Sequence, residues 1–166
     1  MVLVSHDDAK AFCKWRTEKE GRTVRLPNEL EWEKAARGID GRTYPWGGTL
    51  QFSVCNTLET GLGHTTPVGS FSPLGDSPYG CVDMSGNVWE WVSDWYDSDY
   101  YTDPPADNPQ GPNSGEGKVL RGGAWFDDGA GTLRGAYRGA GDPGDSYVYF
   151  GFRCVVESTI ADAGAI

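Results

Sequence analysis

Val119-Leu120-Arg121-Gly122-Gly123-Ala124-Trp125 and Gly151-Phe152-Arg153-Cys154-Val155-Val156 bracket the stretch on which the fold turns. Both flanks are short apolar runs that read as strands, the second as a buried one. Between them lie Phe126-Asp127-Asp128-Gly129-Ala130-Gly131 and Gly139-Ala140-Gly141-Asp142-Pro143-Gly144-Asp145-Ser146-Tyr147-Val148-Tyr149-Phe150, which carry neither a helical nor a strand period. Glycine at that density disfavours both a helix and a strong strand. A segment of glycine, aspartate and rings framed by two firm strands is a displayed segment, and a binding surface is expected there.

Working outward, Tyr79-Gly80-Cys81-Val82-Asp83-Met84-Ser85-Gly86-Asn87-Val88-Trp89-Glu90-Trp91 is the second informative stretch. Tyr100 to Gly117 is rich in proline, asparagine and glycine and reads as a long ordered loop. Ile39 to Phe71 is mostly turn, with Tyr44-Pro45-Trp46-Gly47 as a compact aromatic turn and Thr66 to Phe71 as a candidate edge strand. Two helices are expected before it. Ser5 caps the first, with Asp8 at N3; Ala9, Phe12 and Cys13 form its inner face, flanked by Ala11 and Trp15, and Gly21 ends it. Asn28 caps the second, Glu31 sits three residues on, Trp32, Ala35 and Ala36 share a face, and Gly38 stops it. The aromatic stripes of both helices are expected in the core.

The 166 residues make one domain over 1–157, with a frayed tail over 158–166. A net charge of -10 argues against nucleic acid and anionic membrane surfaces, which reward a basic face. No apolar run reaches membrane-span length, so membrane insertion is not expected, and Met1-Val2-Leu3-Val4 has no signal-peptide pattern. A soluble protein follows, in a compartment left open; an intracellular protein, a phage-like product displayed on a virion or cell surface through a partner, and a trimmed chain all fit. Cys13, Cys55, Cys81 and Cys154 have no CxxC spacing and no histidine cluster beside them, which disfavours zinc; Cys55 and Cys81 read as buried thiols.

Taken in order, the motifs from Val4-Ser5-His6-Asp7-Asp8-Ala9 through Arg25-Leu26-Pro27-Asn28-Glu29-Leu30-Glu31-Trp32-Glu33, Tyr44-Pro45-Trp46-Gly47, Asp83 to Trp91, Leu120 to Trp125 and Gly151-Phe152-Arg153 resemble the formylglycine-generating-enzyme (sulfatase-modifying-factor) family. The resemblance covers Val4 to Val156. It implies an α+β, C-type-lectin-like fold: two helices around small, mostly antiparallel sheets with much loop. The family's further N-terminal portion does not precede Val4-Ser5 here, which implies strands missing or replaced. Oxygen-using members bind copper through two cysteines just after the Arg-Gly-Gly-x-Trp element, and iron-dependent relatives use a histidine cluster. Phe126 to Arg138 holds no cysteine, and His6 and His64 are the only histidines. The expectation is therefore of no enzyme and no catalytic cofactor.

The segment 126–150 also resembles the variable region of proteins diversified by retroelements, in which adenines of asparagine-type codons are randomised. Such codons cannot give Lys, Glu, Gln, Trp or Met, and none of these occurs from Phe126 to Phe150. Leu133-Arg134, Ala136, Arg138, Asp142-Pro143 and Gly151-Phe152-Arg153 match the invariant framework. The expected function is a non-catalytic receptor-recognition protein whose ligand, a protein or cell-surface molecule, meets Phe126, Asp127, Asp128, Tyr137, Gly139, Ala140, Gly141, Gly144, Ser146, Tyr147, Val148, Tyr149 and Phe150. Rings interleaved with small polar residues also have the composition of a paratope. The alternative is a paralogue of the parent family, a copper-dependent oxidase or its inactive relative.

The family resemblance carries two further implications. Asp83, Gly86, Val88 and Glu90 match a Ca2+ site of family members; their carboxylates either hold such a structural ion or accept hydrogen bonds in the turn. A second calcium position, at Asn56, has Thr60 where an aspartate is expected and Glu59 beside it. Cys13 and Cys154 correspond to positions that pair as a disulfide in secreted relatives. Arg121, Arg134, Arg138 and Arg153 are expected to tie loop carbonyls and carboxylates together.

Overall fold

Both helix starts fold as their caps dictate. Ser5 accepts from the backbone N–H of Asp8 while the Asp8 carboxylate accepts from Ser5, and Asn28 and Glu31 repeat the exchange. The computed structural model describes residues 1–102, 109–128 and 130–157. In it α1 spans His6–Glu20 and α2 spans Glu29–Arg37, ended by Gly21 and Gly38, both at φ 67°. The expected tail over 158–166 and part of the Tyr100–Gly117 loop lie outside the described residues.

Between the helices lies β1 (Val24–Arg25), and the remaining strands follow as β2 (Trp89–Trp95), β3 (Lys118–Arg121), β4 (Gly139–Gly141), β5 (Phe150–Phe152) and β6 (Val155–Val156). The larger sheet has the order β4-β3-β2-β5, and β1 pairs with β6 in a small second sheet. Pairing is antiparallel except between β2 and β5, which run parallel with Trp89 opposite Phe150 and Trp91 opposite Phe152.

Strand alternation divides the core. On one face of the large sheet Val92 and Val119 pack with Met84 against Trp32 and Ala36 of α2; on the other, Trp89, Trp91, Leu120, Ala124 and Phe150 form an aromatic layer. Under α1, Ala9 and Cys13 meet Val24 and Leu26.

Four expectations need correction here. The run from Val119 to Trp125 is a strand only to Arg121, because Gly122 and Gly123 take φ 96° and 77° and turn the chain away. The run from Gly151 to Val156 is divided between two sheets. Thr66 to Phe71 forms turns, with Ser70 and Ser72 donating to Pro67 and Gly69 carbonyls. Trp15, expected in the core, is 52% exposed, its ring tilted at 44° to that of Phe12. No helix among the described residues is long and apolar enough to cross a membrane.

Candidate functional site

Arg121 decides how the displayed segment leaves the sheet. It is wholly buried, beside the Trp32 ring, and its guanidinium donates to the carbonyls of Gly135 (2.7 Å), Ala136 (3.2 Å) and Tyr137 (2.7 Å) and to the Glu33 carboxylate (2.7 Å). Arg138 grips Glu29 with two hydrogen bonds of 2.7 and 2.9 Å and donates to Asp97 O. Such forked donors hold backbone and carboxylate together in fixed planes. Leu133 is buried, and its carbonyl accepts from Ser85 Oγ at 2.6 Å. Gly135 lies against Arg37, where an added Cβ would come within 2.6 Å of that side chain. The backbone from Leu133 to Arg138 is thus fixed chiefly by buried residues, Arg121, Ser85 and Glu29 among them. Arg134 is instead exposed, and its Nε donates to Gly131 O nearby.

The predicted ligand-binding residues divide into three groups. Asp128, Tyr137, Ala140, Gly144, Ser146, Tyr147 and Val148 are exposed. Phe126, Asp127, Gly139, Gly141 and Tyr149 are half-buried. Phe150 is a core residue at 6% exposure, edge-on to Trp91 at 5.0 Å, and so belongs to the scaffold. Gly139 to Gly141, expected as open loop, form the edge strand β4. A Cβ on Gly139 would lie 3.0 Å from the Trp89 ring and one on Gly141 2.8 Å from the Trp91 ring, so these glycines admit indoles rather than ligand.

An aromatic patch remains at the surface. Tyr147 and Tyr149 stack at 5.1 Å with planes 5° apart, Phe126 meets Tyr149 edge-on at 4.6 Å, and Tyr137 tilts against Trp89 at 5.9 Å. Asp127 lies beneath it, accepting from Ala124 N at 2.7 Å, and burial raises its carboxyl pKa while the hydrogen bonds from Ala124 and Trp89 oppose the rise. Trp89 was not marked for the site in the sequence; its place in a Trp-Glu-Trp strand that lays both indoles on one face was the available clue.

The calcium expectation meets a cation already in place. Both oxygens of Glu90 accept from Arg153, at 2.5 and 2.7 Å, and Oε2 also accepts from Trp32 Nε1 at 2.7 Å. Asp83 accepts from Gly69 N at 2.7 Å, and the Gly86 carbonyl accepts from Val88 N. A hard cation, which takes six to eight oxygens, would have to compete with these donors for Glu90. At Asn56, the Thr60 hydroxyl donates to the side-chain oxygen where an ion would bind. Among the described residues no group of three His, Cys, Asp or Glu side chains converges for a metal. Copper finds no thiol over 126–138; the sulfurs that approach each other are those of Cys13 and Cys154, at 3.5 Å.

Residues 1–158 match the sulfatase-modifying factor enzyme 1-like domain. The chain is similar to the formylglycine-generating enzyme of Streptomyces coelicolor, 38% identical over 181 aligned positions that cover 99% of this chain and 55% of that protein. Among solved structures it is similar to PvdO from Pseudomonas aeruginosa, with a TM-score of 0.82 and 30% identity over 95% of this chain and 61% of that one. Treponema denticola variable protein 1 shares the fold, with a TM-score of 0.79 at 24% identity over 93% of this chain and 69% of that one. The chain spans about half the length of the formylglycine-generating enzymes it matches. These relatives overturn the expectation that the chain is no enzyme. Four curated proteins named formylglycine-generating enzyme are 36–38% identical to it, which places it in an enzymatic family, although relatives named inactive are also 36% identical.

Proposed function

The chain belongs to the formylglycine-generating-enzyme family, and from that premise we propose that it is a recognition domain which binds a protein or cell-surface ligand through the face built by residues 126–149, in the manner of a retroelement-diversified variable protein. The observation that carries this reading is the division of labour along the segment. Arg121, Leu133, Gly135, Gly139, Gly141 and Phe150 fix the backbone from within, while Tyr137, Ser146, Tyr147 and Val148 are free to meet a partner. Stacked tyrosines supply contact area at small entropic cost, and the exposed Asp128 and Ser146 supply polar contacts. The shared fold of the Treponema variable protein and the restricted alphabet over 126–150 support it too.

The first test is genetic: the flanking DNA should contain a near-copy of the codons for 126–150 that differs at adenines, beside a reverse transcriptase. Its absence sinks the diversification reading. The second is biochemical. With a ligand selected from a surface-protein library, Tyr147→Ala with Tyr149→Ala should weaken binding by about 2 kcal/mol or more, as aromatic hot spots do, without unfolding the domain.

A second reading, oxidation of a peptidyl cysteine to formylglycine, is favoured by the 38% identity to the Streptomyces enzyme. Incubating the chain with copper and a cysteine-containing sulfatase peptide, followed by mass spectrometry of the peptide, decides it: an aldehyde product establishes catalysis, and unchanged cysteine removes this reading.

A further inference from the structure

His6, Lys10 and Lys14 recur every fourth residue along α1, and a helix of 3.6 residues per turn stacks such positions into one ridge. That ridge lines a concave pocket of about 540 Å³, to which β3 contributes Lys118 and β1 contributes Arg25; none of its lining residues belongs to the segment 126–150. In a chain of net charge -10, this is a local gathering of cations.

Arg25 is already neutralised, held by Glu31 at 2.6 and 2.7 Å and by Glu157 at 2.9 Å. Lys10, Lys14 and Lys118 have no ion-pair partner among the described residues. Lys118 is 8% exposed; its ammonium donates to Ser93 O at 2.8 Å and lies 3.9 Å from the centre of the Trp95 ring. The nearby Asp94 carboxylate is turned to Glu29 N at 2.8 Å and Ser93 Oγ at 3.0 Å. Burial and the Lys10 charge both lower the Lys118 pKa, against weaker opposition from Asp94 and Asp7. A largely buried ammonium with a like charge nearby and no carboxylate paired to it gains from an anion that joins it.

We propose that this pocket binds a small organic phosphate. The phosphate would sit among the ammonium groups of Lys10, Lys14 and Lys118, which suit it as point charges. Cys13, Val24 and Leu26, which also line the pocket, give the organic part an apolar wall. The volume is that of a small-molecule site, typically about 300–1,000 Å³.

Isothermal titration of the full chain with AMP, pyrophosphate and adenosine tests the assignment. AMP is expected to bind, adenosine is not, and added salt should weaken AMP. The double variant Lys10→Ala/Lys14→Ala changes exposed helix positions, so it should keep the parent's circular dichroism and melting temperature while binding AMP about tenfold or more weakly. Equal AMP affinity in parent and double variant overturns the proposal. So does the absence of binding by both AMP and pyrophosphate at millimolar concentration, or equal binding of adenosine and AMP.

Discussion

His6 stands out among single residues because the fold keeps it neutral. Its Nε2 lies 3.1 Å from the Val92 carbonyl, and burial first, then the charges of Lys118 and Lys10, push its pKa from 6.5 down to about 4. A histidine held below its unfolded pKa contributes stability that is whole above pH 6.5 and is lost as the pH falls toward 4. The loss is at most about 3 kcal/mol. Asp83, Asp94 and Asp127 have raised pKa values, so they act in the opposite sense over the same acid range. The comparison must therefore be with His6→Gln: urea melts at pH 7 and pH 4.5 should show a smaller acid loss in the variant, and equal losses would refute it. At Glu90 the Arg153 guanidinium occupies both carboxylate oxygens, so millimolar Ca2+ should leave the melting temperature unchanged. A true site filled to a hundred times its Kd would add about 2.7 kcal/mol. At this scale the sequence was partly legible. Arg121, Arg138 and Arg153 could be read as ties, whereas Phe150 could not be separated from Tyr149, since adjacent rings in a run without alternation give no sign of which turns inward.

Elements were legible where local chemistry decides them. Ser5 with Asp8 and Asn28 with Glu31 set two helix starts through contacts three residues apart, and both formed as read. Strand β4 was misread for a physical reason. The entropic cost of Gly139 and Gly141 is local, but its compensation, close approach to Trp89 and Trp91, comes from residues about fifty positions away. Gly141→Ala should therefore destabilise the domain by about 1–3 kcal/mol through overpacking against the Trp91 ring, despite alanine's better strand propensity. Ala140→Thr, on the exposed position between, should be near neutral. Chemical denaturation of the two variants checks both, and a stabilised Gly141→Ala would show that the strand does not need the gap. The single strand expected from Gly151 to Val156 failed likewise, because only the partners of β5 and β6 reveal that they belong to different sheets.

For the whole molecule, α1 brings together residues far apart in sequence. Cys13 on α1 and Cys154 between β5 and β6 bring their sulfurs to 3.5 Å, and burial with the Cys154 contact raises the Cys13 thiol to about 12. So raised, it is a poor nucleophile at neutral pH, and air oxidation should be slow. A disulfide formed by an added oxidant should stabilise the domain by about 2–4 kcal/mol, since it would close most of the chain into one loop. Thermal melts of oxidised and reduced protein, with Cys13→Ser as control, measure it; an oxidised form that melts no higher would place strain above the gain. The family and the lectin-like arrangement were legible from the order of motifs spread along the chain. Catalytic competence was not, since a missing thiol pair speaks only to one position. Arg121 has a consequence for engineering. Because it grips peptide carbonyls and not side chains, it is indifferent to what Ala136 and Tyr137 carry. Libraries that re-randomise Tyr137, Ser146, Tyr147 and Val148 should therefore yield mostly folded members, making the domain a graftable frame for selecting new binders.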